Sequence, residues 1–301
     1  MINIVGRRVW FFTASALLLI ASVAALAVFG LKAGIDFSSG SITTLDFSTT
    51  VTADEIEAEL ITLDFKGNVE VAESGFAIRT IRLTESDKAR LIDGLSDRFG
   101  AIEELSFINV DPVIAEESAR IAGLAIGVSA IGILLYITWA FRRMPQPFRY
   151  GLCAVIALVH DVVLVLGVFS ILGAILNWEI TLMFITGVLA VIGYSVNNTV
   201  VVFDRIRENV RRGISPDFAI TVNSSLVETL GRSLNTSLTT LAVLLALVLF
   251  VGVSIQNFAV VLVIGVVAGT YSSLFVAPQL LVVWAGAGWR GTAANLSPSR
   301  G

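Results

Sequence analysis

Residues 193–209 read GYSVNNTVVVFDRIREN, a stretch that opens inside a long apolar run and closes in dense charge. Its first half carries Tyr194, Ser195, Asn197, Asn198 and Thr199 side by side. Polar groups at membrane depth are costly, so they turn toward a bundle interior and pair with one another. A helix through the stretch puts Ser195, Asn198 and Val202 on one face, with Tyr194 one turn before Asn198. Charge resumes at Asp204, six residues beyond Asn198. At about 1.5 Å per residue that sets Asn198 roughly 9 Å inside the end of a span.

The rest of the chain supports a span here. Of 301 residues, 55% are hydrophobic and 15% charged, with a mean hydropathy of +0.86. That excludes an ordinary soluble domain and fits an integral membrane protein. About 20 apolar residues cross a hydrocarbon layer. Six such runs occur, at 10–31, 121–141, 150–176, 180–203, 233–253 and 258–285, the third interrupted only by His160 and Asp161. Arg7 and Arg8 precede the first run, and Ala25-Leu-Ala27 imitates a processing site. The run is nevertheless longer than a signal-peptide core of about 7–15 residues, so it is read as a span. The lone Cys153 lies in a predicted helix and has no intrachain disulfide partner.

Lys and Arg in short loops set orientation. Arg7 and Arg8, then Arg142, Arg143 and Arg149, then Arg205, Arg207, Arg211 and Arg212, and finally Arg290 fall on one side of six alternating spans. The opposite loops near 177–179 and 252–257 carry none. Both termini are therefore expected on the cytoplasmic side, with residues 32–119 exported.

Between the first two spans, residues 31–119 hold eighteen acidic and seven basic side chains, the composition of a solvated domain. Alternating and amphipathic patterns predict strands at 41–47, 68–72, 76–83 and 102–110 and helices at 53–63 and 85–99, with Thr52 and Thr84 as N-caps. The order strand, helix, strand, strand, helix, strand suggests an α+β ferredoxin-like domain. The expected organisation is then 1–31 as an N-terminus and first span, 32–119 exported, 120–285 as helices two to six, and 286–301 as a cytoplasmic tail.

Two further spans carry polar groups. The third holds His160-Asp161 near its middle; the fifth begins with Arg232 and continues through Ser233, Asn235, Thr236, Ser237, Thr239 and Thr240. Together with Asn198 they suggest one hydrated path through the third, fourth and fifth helices. Plainer roles stay open: helix packing for Asn198, a fixed ion pair for Asp161 and snorkelling to the interface for Arg232. Asp161 is able to change charge with burial and neighbours, and Asn198 is not. Asp204, Arg205, Arg207 and Glu208 read as a salt-linked cytoplasmic turn closed by Gly213-Ile-Ser-Pro216, and 217–228 as an amphipathic helix at the interface.

These phrases in this order resemble the SecD/SecF family of protein-export membrane proteins, on its SecF side, within the resistance-nodulation-division superfamily. The likeness rests on Gly34-Ile-Asp36-Phe37 with Gly40, on Ala157-Leu-Val-His160-Asp161, on Gly193-Tyr-Ser195-Val-Asn197, on Asp204-Arg205-Ile-Arg-Glu-Asn209 and on Arg232-Ser-Leu-Asn-Thr-Ser-Leu-Thr-Thr240. The first phrase reads GIDFSSG here where the family usually has GIDFTGG. The resemblance implies a SecD-like six-span partner, the SecYEG translocon, an unfolded polypeptide in transit as substrate, and inward proton flow as the energy source. It also implies a proton-carrying Asp in the fourth span, in the phrase Asn-Asp-Thr, with the Arg of the fifth span nearby. Here that position is Asn198. An amide keeps the size of a protonated carboxyl but holds one charge state at every pH. The chain is thus expected either to mimic the protonated state or to use another relay, Asp161 or a carboxylate of the partner.

No phosphate-binding Gly-rich loop with Lys and Ser/Thr occurs, which argues against an ATPase. No metal-ligand or hydrolytic spacing is present, so neither a cofactor nor an enzymatic role is expected, and nothing points to nucleic acid. A half-size exporter of lipids or small molecules and a non-motor scaffold for a membrane partner are the competing readings.

Overall fold

The computed structural model describes residues 2–72, 74–250 and 253–285; the tail 286–301, with Arg290, and Gly252 lie outside the described residues. The chain divides into two compact units, residues 33–123 and residues 1–32 with 124–301.

The smaller unit begins with a single helical turn, α2 (Ile35–Ser38), which follows α1 (Arg8–Phe29). It continues through β1 (Gly40–Phe47), α3 (Ala53–Thr62), β2 (Gly67–Val71), β3 (Phe76–Thr80), α4 (Glu85–Phe99) and β4 (Ile102–Val110). The sheet order is β2-β3-β1-β4, every neighbouring pair antiparallel. Leu45, Ile56, Leu60, Ile78, Leu91 and Leu95 form a closed apolar core between sheet and helices. Both expected N-caps are complete capping boxes: Thr52 pairs with Glu55 and Thr84 with Asp87. The Thr52 backbone N–H holds the Glu55 carboxyl below the usual carboxylate range, and the Thr84 hydroxyl does the same for Asp87. β3 ends earlier than the alternation predicts, because the Leu83 N–H leaves the ladder and donates to Ser41 Oγ at 2.8 Å.

The first family phrase has a backbone reason. Gly40 has φ of +126°, and a Cβ there would lie 2.7 Å from the Thr80 carbonyl oxygen. Ser39, standing where the family usually has glycine, is held at φ 60° and ψ 166°. That region is essentially reserved for glycine, at a cost of about 1–3 kcal/mol.

The described residues contain six stretches long and apolar enough to cross a membrane: Val5–Phe29, Pro112–Ala140, Pro147–Leu176, Leu182–Arg212, Phe218–Phe250 and Ile255–Ala285. The helices are α1, α5 (Pro112–Ala140), α6 (Pro147–Leu176), α7 (Leu182–Arg212), α8 (Phe218–Phe250) and the pair α9 (Val253–Phe275) and α10 (Ala277–Ala285). Pro278, at the second position of α10, lacks the N–H a continuous helix would use, which accounts for the break at Val276. α1 packs on α6, where a Cβ on Gly167 would meet Ser22 at 2.3 Å and Ser170 Oγ donates to the Ala25 and Gly30 carbonyls. α1 is thus built into the bundle.

Two expectations change. Residues 204–212 are the last turns of α7, not a separate turn: their i,i+3 and i,i+4 ion pairs run along the helix surface, and Gly213 ends it at φ +66°. Residues 218–228 open α8 itself. Phe218, Thr221, Val222, Ser225 and Leu226 are buried, so this helical stretch has a bundle face and does not lie separately at an interface.

Candidate functional site

Glycine sets how closely the central helices approach. A Cβ on Gly187 of α7 would lie 2.9 Å from Val261, one on Gly265 of α9 only 2.0 Å from Val191, and one on Gly269 2.9 Å from Ser195. The three pairs advance together along both helices, so α7 and α9 run parallel and nearly touch, as small residues spaced by four allow.

That approach brings three helices to one carboxylate. Asp161 of α6 is 1% exposed. Its Oδ2 accepts from Ser195 Oγ of α7 at 2.6 Å and from Ser272 Oγ of α9 at 2.7 Å. Its Oδ1 lies 3.0 Å from Nδ1 of His160, itself 4% exposed. The His160 ring stacks on Tyr271 of α9 with centroids 6.2 Å apart. The Tyr271 hydroxyl donates to the Phe11 carbonyl and accepts from Ser15, both on α1. Neutral donors from α7 and α9 thus surround a buried acid, and His160 Nε2 has no hydrogen-bond partner among the described residues.

A second row joins α7 to α8. Tyr194 donates to Ser237, which shares a 2.6 Å hydrogen bond with Thr270 of α9. Further along, Asn209 donates to Ser225 and to Glu228, and Arg205 pairs with Glu228. The residue numbers rise on one helix as they fall on the other, the mark of antiparallel neighbours. This register sets Asn198 level with Ser233. Asn198 Nδ2 and Ser233 Oγ are both buried without a partner among the described residues.

The sequence-selected residues divide accordingly. Asp161, His160 and Ser195 meet directly, and Asn198 follows Ser195 by one turn, about 4.5 Å along the axis. Asn197 and Arg232 do not join them: both are exposed in this chain, and the Arg232 guanidinium has no ion pair among the described residues. The cause is helical phase, since Ser233 and Ser237 face α7 and Arg232 lies about 100° around from Ser233. Gly34 provides the extended N-cap of α2 and Asp36 its first turn. Asp204 pairs with Arg207, and Arg205 with Glu208 and Glu228. The expected seam of the third, fourth and fifth spans is therefore centred on the third, fourth and sixth. Ser272 and Tyr271 were missed, although Thr270-Tyr-Ser-Ser273 repeats in the last span the polar density that singles out residues 194–199.

A family model described as "Protein export membrane protein SecD/SecF, C-terminal" matches residues 92–287. The chain belongs to the SecD/SecF family. A protein translocase subunit SecF from Thermobaculum terrenum is 42% identical over 298 residues, covering 94% of each chain. Another from Anaerolinea thermophila is 38% identical over 296 residues, covering 96% of each. The crystal structure of SecDF from Thermus thermophilus, titled a translocon-associated membrane protein, superposes with a TM-score of 0.81 at 31% identity. That match covers 94% of this chain and 38% of the SecDF chain, so this chain spans well under half of that protein. Six apolar helices and membership of the SecD/SecF family make this a multi-pass membrane protein.

Proposed function

We propose that this chain is the SecF-type half of a proton-driven protein-export assembly. It works with a SecD-like six-span subunit beside the SecYEG translocon, drawing unfolded polypeptide across the bacterial inner membrane late in its passage. SecDF chains in which a region 31% identical to this chain makes up 38% of the length support the SecD-like partner. The strand order β2-β3-β1-β4, with two helices on one face, supports the ferredoxin-like reading of residues 32–119. The arginine pattern supports placing that domain outside and both termini in the cytoplasm.

The observation that carries the proton reading is the Asp161 cluster. Its Oδ2 takes donors from α7 and α9 and its Oδ1 meets the His160 imidazole, so a change of charge in this pair is felt by three helices. One charge moved through 100 mV is worth about 2.3 kcal/mol, and one pH unit about 1.4 kcal/mol per proton. Asn198 has no charge to change, so the relay in this chain runs through the cluster around Asp161 or through a carboxylate of the partner.

The test places the chain with its SecD-like partner and SecYEG in proton-tight vesicles and follows a secreted polypeptide. Asn198→Asp is expected to raise the gradient-dependent rate several-fold. Equal gradient dependence in the two versions would remove the fourth span from the relay, and no gradient dependence in either would leave a scaffold.

A further inference from the structure

The proton-accepting atom is not obvious from the cluster, because Asp161 and His160 are both buried and both ionisable. The hydrogen bonds distinguish them. Asp161 accepts from two serine hydroxyls through Oδ2 and meets the imidazole through Oδ1. Two hydroxyl donors on one oxygen and an imidazole on the other are the coordination an acceptor-only carboxylate takes. An ionised carboxylate has only acceptors, so the atom facing it, His160 Nδ1, must carry the hydrogen. In a neutral imidazole the other nitrogen is then a bare acceptor. That nitrogen, Nε2, is the buried atom without a partner among the described residues. A buried acceptor with nothing donating to it is an open position in an otherwise saturated network.

We propose that His160 and Asp161 form a buried proton-binding dyad in which Nε2 of the imidazole takes up the proton and Asp161 stays charged. This deepens the proton-linked reading given above and rests on it for its purpose, not for its chemistry. The lone pair on Nε2 forms an N–H bond with a proton from hydronium, leaving a neutral water. The Nδ1–H bond to Asp161 Oδ1 is kept, and release reverses the step. The product is an imidazolium beside a carboxylate, which costs far less in a bundle interior than either charge alone.

The surroundings suit that role. α9 presents Tyr271 to the ring face, α7 presents Ser195 and α9 Ser272 to the carboxylate, and α1 reaches the cluster through Ser15 and the Phe11 carbonyl. Tyr271 is the titratable group on that ring face, and its hydroxyl is committed to α1. No Lys or Arg pairs with the dyad among the described residues. Nothing else in the cluster therefore supplies a fixed positive charge to compete with an imidazolium for Asp161. The inference also gives the chain a charge-changing group where Asn198 provides none.

His160 is the chain's sole histidine, so a chain purified without a polyhistidine tag and labelled with 15N-histidine reports on one ring. Nitrogen NMR in lipid bilayers, with the SecD-like partner unlabelled, reads protonation at each ring nitrogen. The expected result is Nδ1–H with bare Nε2 at pH 8.5 and an imidazolium at pH 5. Asp161→Asn is expected to lower the imidazolium population at pH 5 at least tenfold. An Nε2–H tautomer at pH 8.5, a ring still neutral at pH 5, or an Asp161→Asn chain with an undiminished imidazolium signal would each overturn the proposal. The first two readings use the unaltered chain and hold even if the variant fails to fold. Because the signal reports protonation and not export, failure of the dyad is distinguishable from failure of the export role.

Discussion

Asp161 and Glu228 each tie helices together in this bundle, and they do so with opposite kinds of partner. Asp161 is buried and takes hydroxyl donors from α7 and α9, with an imidazole from its own helix. Glu228, on α8, sits at the charged end of α7 with its side chain a third exposed, and its partners are the Arg205 guanidinium, Asn209 and Ser224. A guanidinium is charged at every accessible pH, so the Glu228 cluster is a pinned charge pair. The Asp161 cluster has hydroxyls and an imidazole and no Lys or Arg among the described residues, which is the arrangement the proposed proton-binding dyad needs. One cluster is a clasp, and the other is proposed as a switch.

The largest effect is expected at the switchable site. Asp161→Leu strips the acceptor from two buried hydroxyls and from His160 Nδ1. Each buried donor left without its acceptor costs about 1–3 kcal/mol. The unfolding midpoint in detergent, followed by thiol labelling of the buried Cys153, is expected to fall steeply. Asp161→Asn, which keeps an acceptor oxygen of the same size, is expected to fall much less. If Asn and Leu behave alike, the charge and not the hydrogen bonding holds the three helices, and the contrast with Glu228 collapses.

Next comes the spacing that builds the cluster. Gly269→Val places side-chain atoms where a Cβ alone would already lie 2.9 Å from Ser195, so α9 has to move away from α7. Overpacking of this kind costs roughly 1–3 kcal/mol. It should also draw Ser195 and Ser272 apart around Asp161, lowering gradient-dependent export along with stability. Gly231→Ala on α8, where nothing lies within 4 Å of the added carbon, is the control and should leave both unchanged or slightly improved.

Much of this architecture could be read before any coordinates. The six spans, the four strands, the two capping Thr residues and the inward face of Ser195, Asn198 and Val202 all follow from periodicity and from the cost of burying unpaired polar groups. The seam was legible only in part. Polar density within one span reveals which helix face is buried, but not which other helix faces it. Arg232 and Asp161 both lie in polar stretches, yet one residue's rotation on α8 separates Arg232 from Ser233. Ser272 and Tyr271 stand out less, because Thr270-Tyr-Ser-Ser273 continues into an apolar run, whereas residues 194–199 lead into charge at Asp204. Their approach depends on Gly265 and Gly269, whose effect is a distance between helices and not a property of either sequence alone.

The smallest effect is expected at the clasp, and it tests the other half of the contrast. Glu228→Gln keeps one carbonyl oxygen, enough for either Asn209 or Ser224 to donate to, while removing the charge opposite Arg205. Exposed and half-exposed ion pairs contribute about 0–1 kcal/mol, so the loss should be under about 1 kcal/mol and should shrink further as salt rises. Gradient-dependent export should be unchanged, because Arg205 retains Glu208 as a partner on its own helix. A loss as large as that of Asp161→Leu, or one insensitive to salt, would mean that Glu228 behaves as a desolvated charge. The buried Asn209 amide, whose oxygen has no partner among the described residues, would then mark the edge of a second dry polar core.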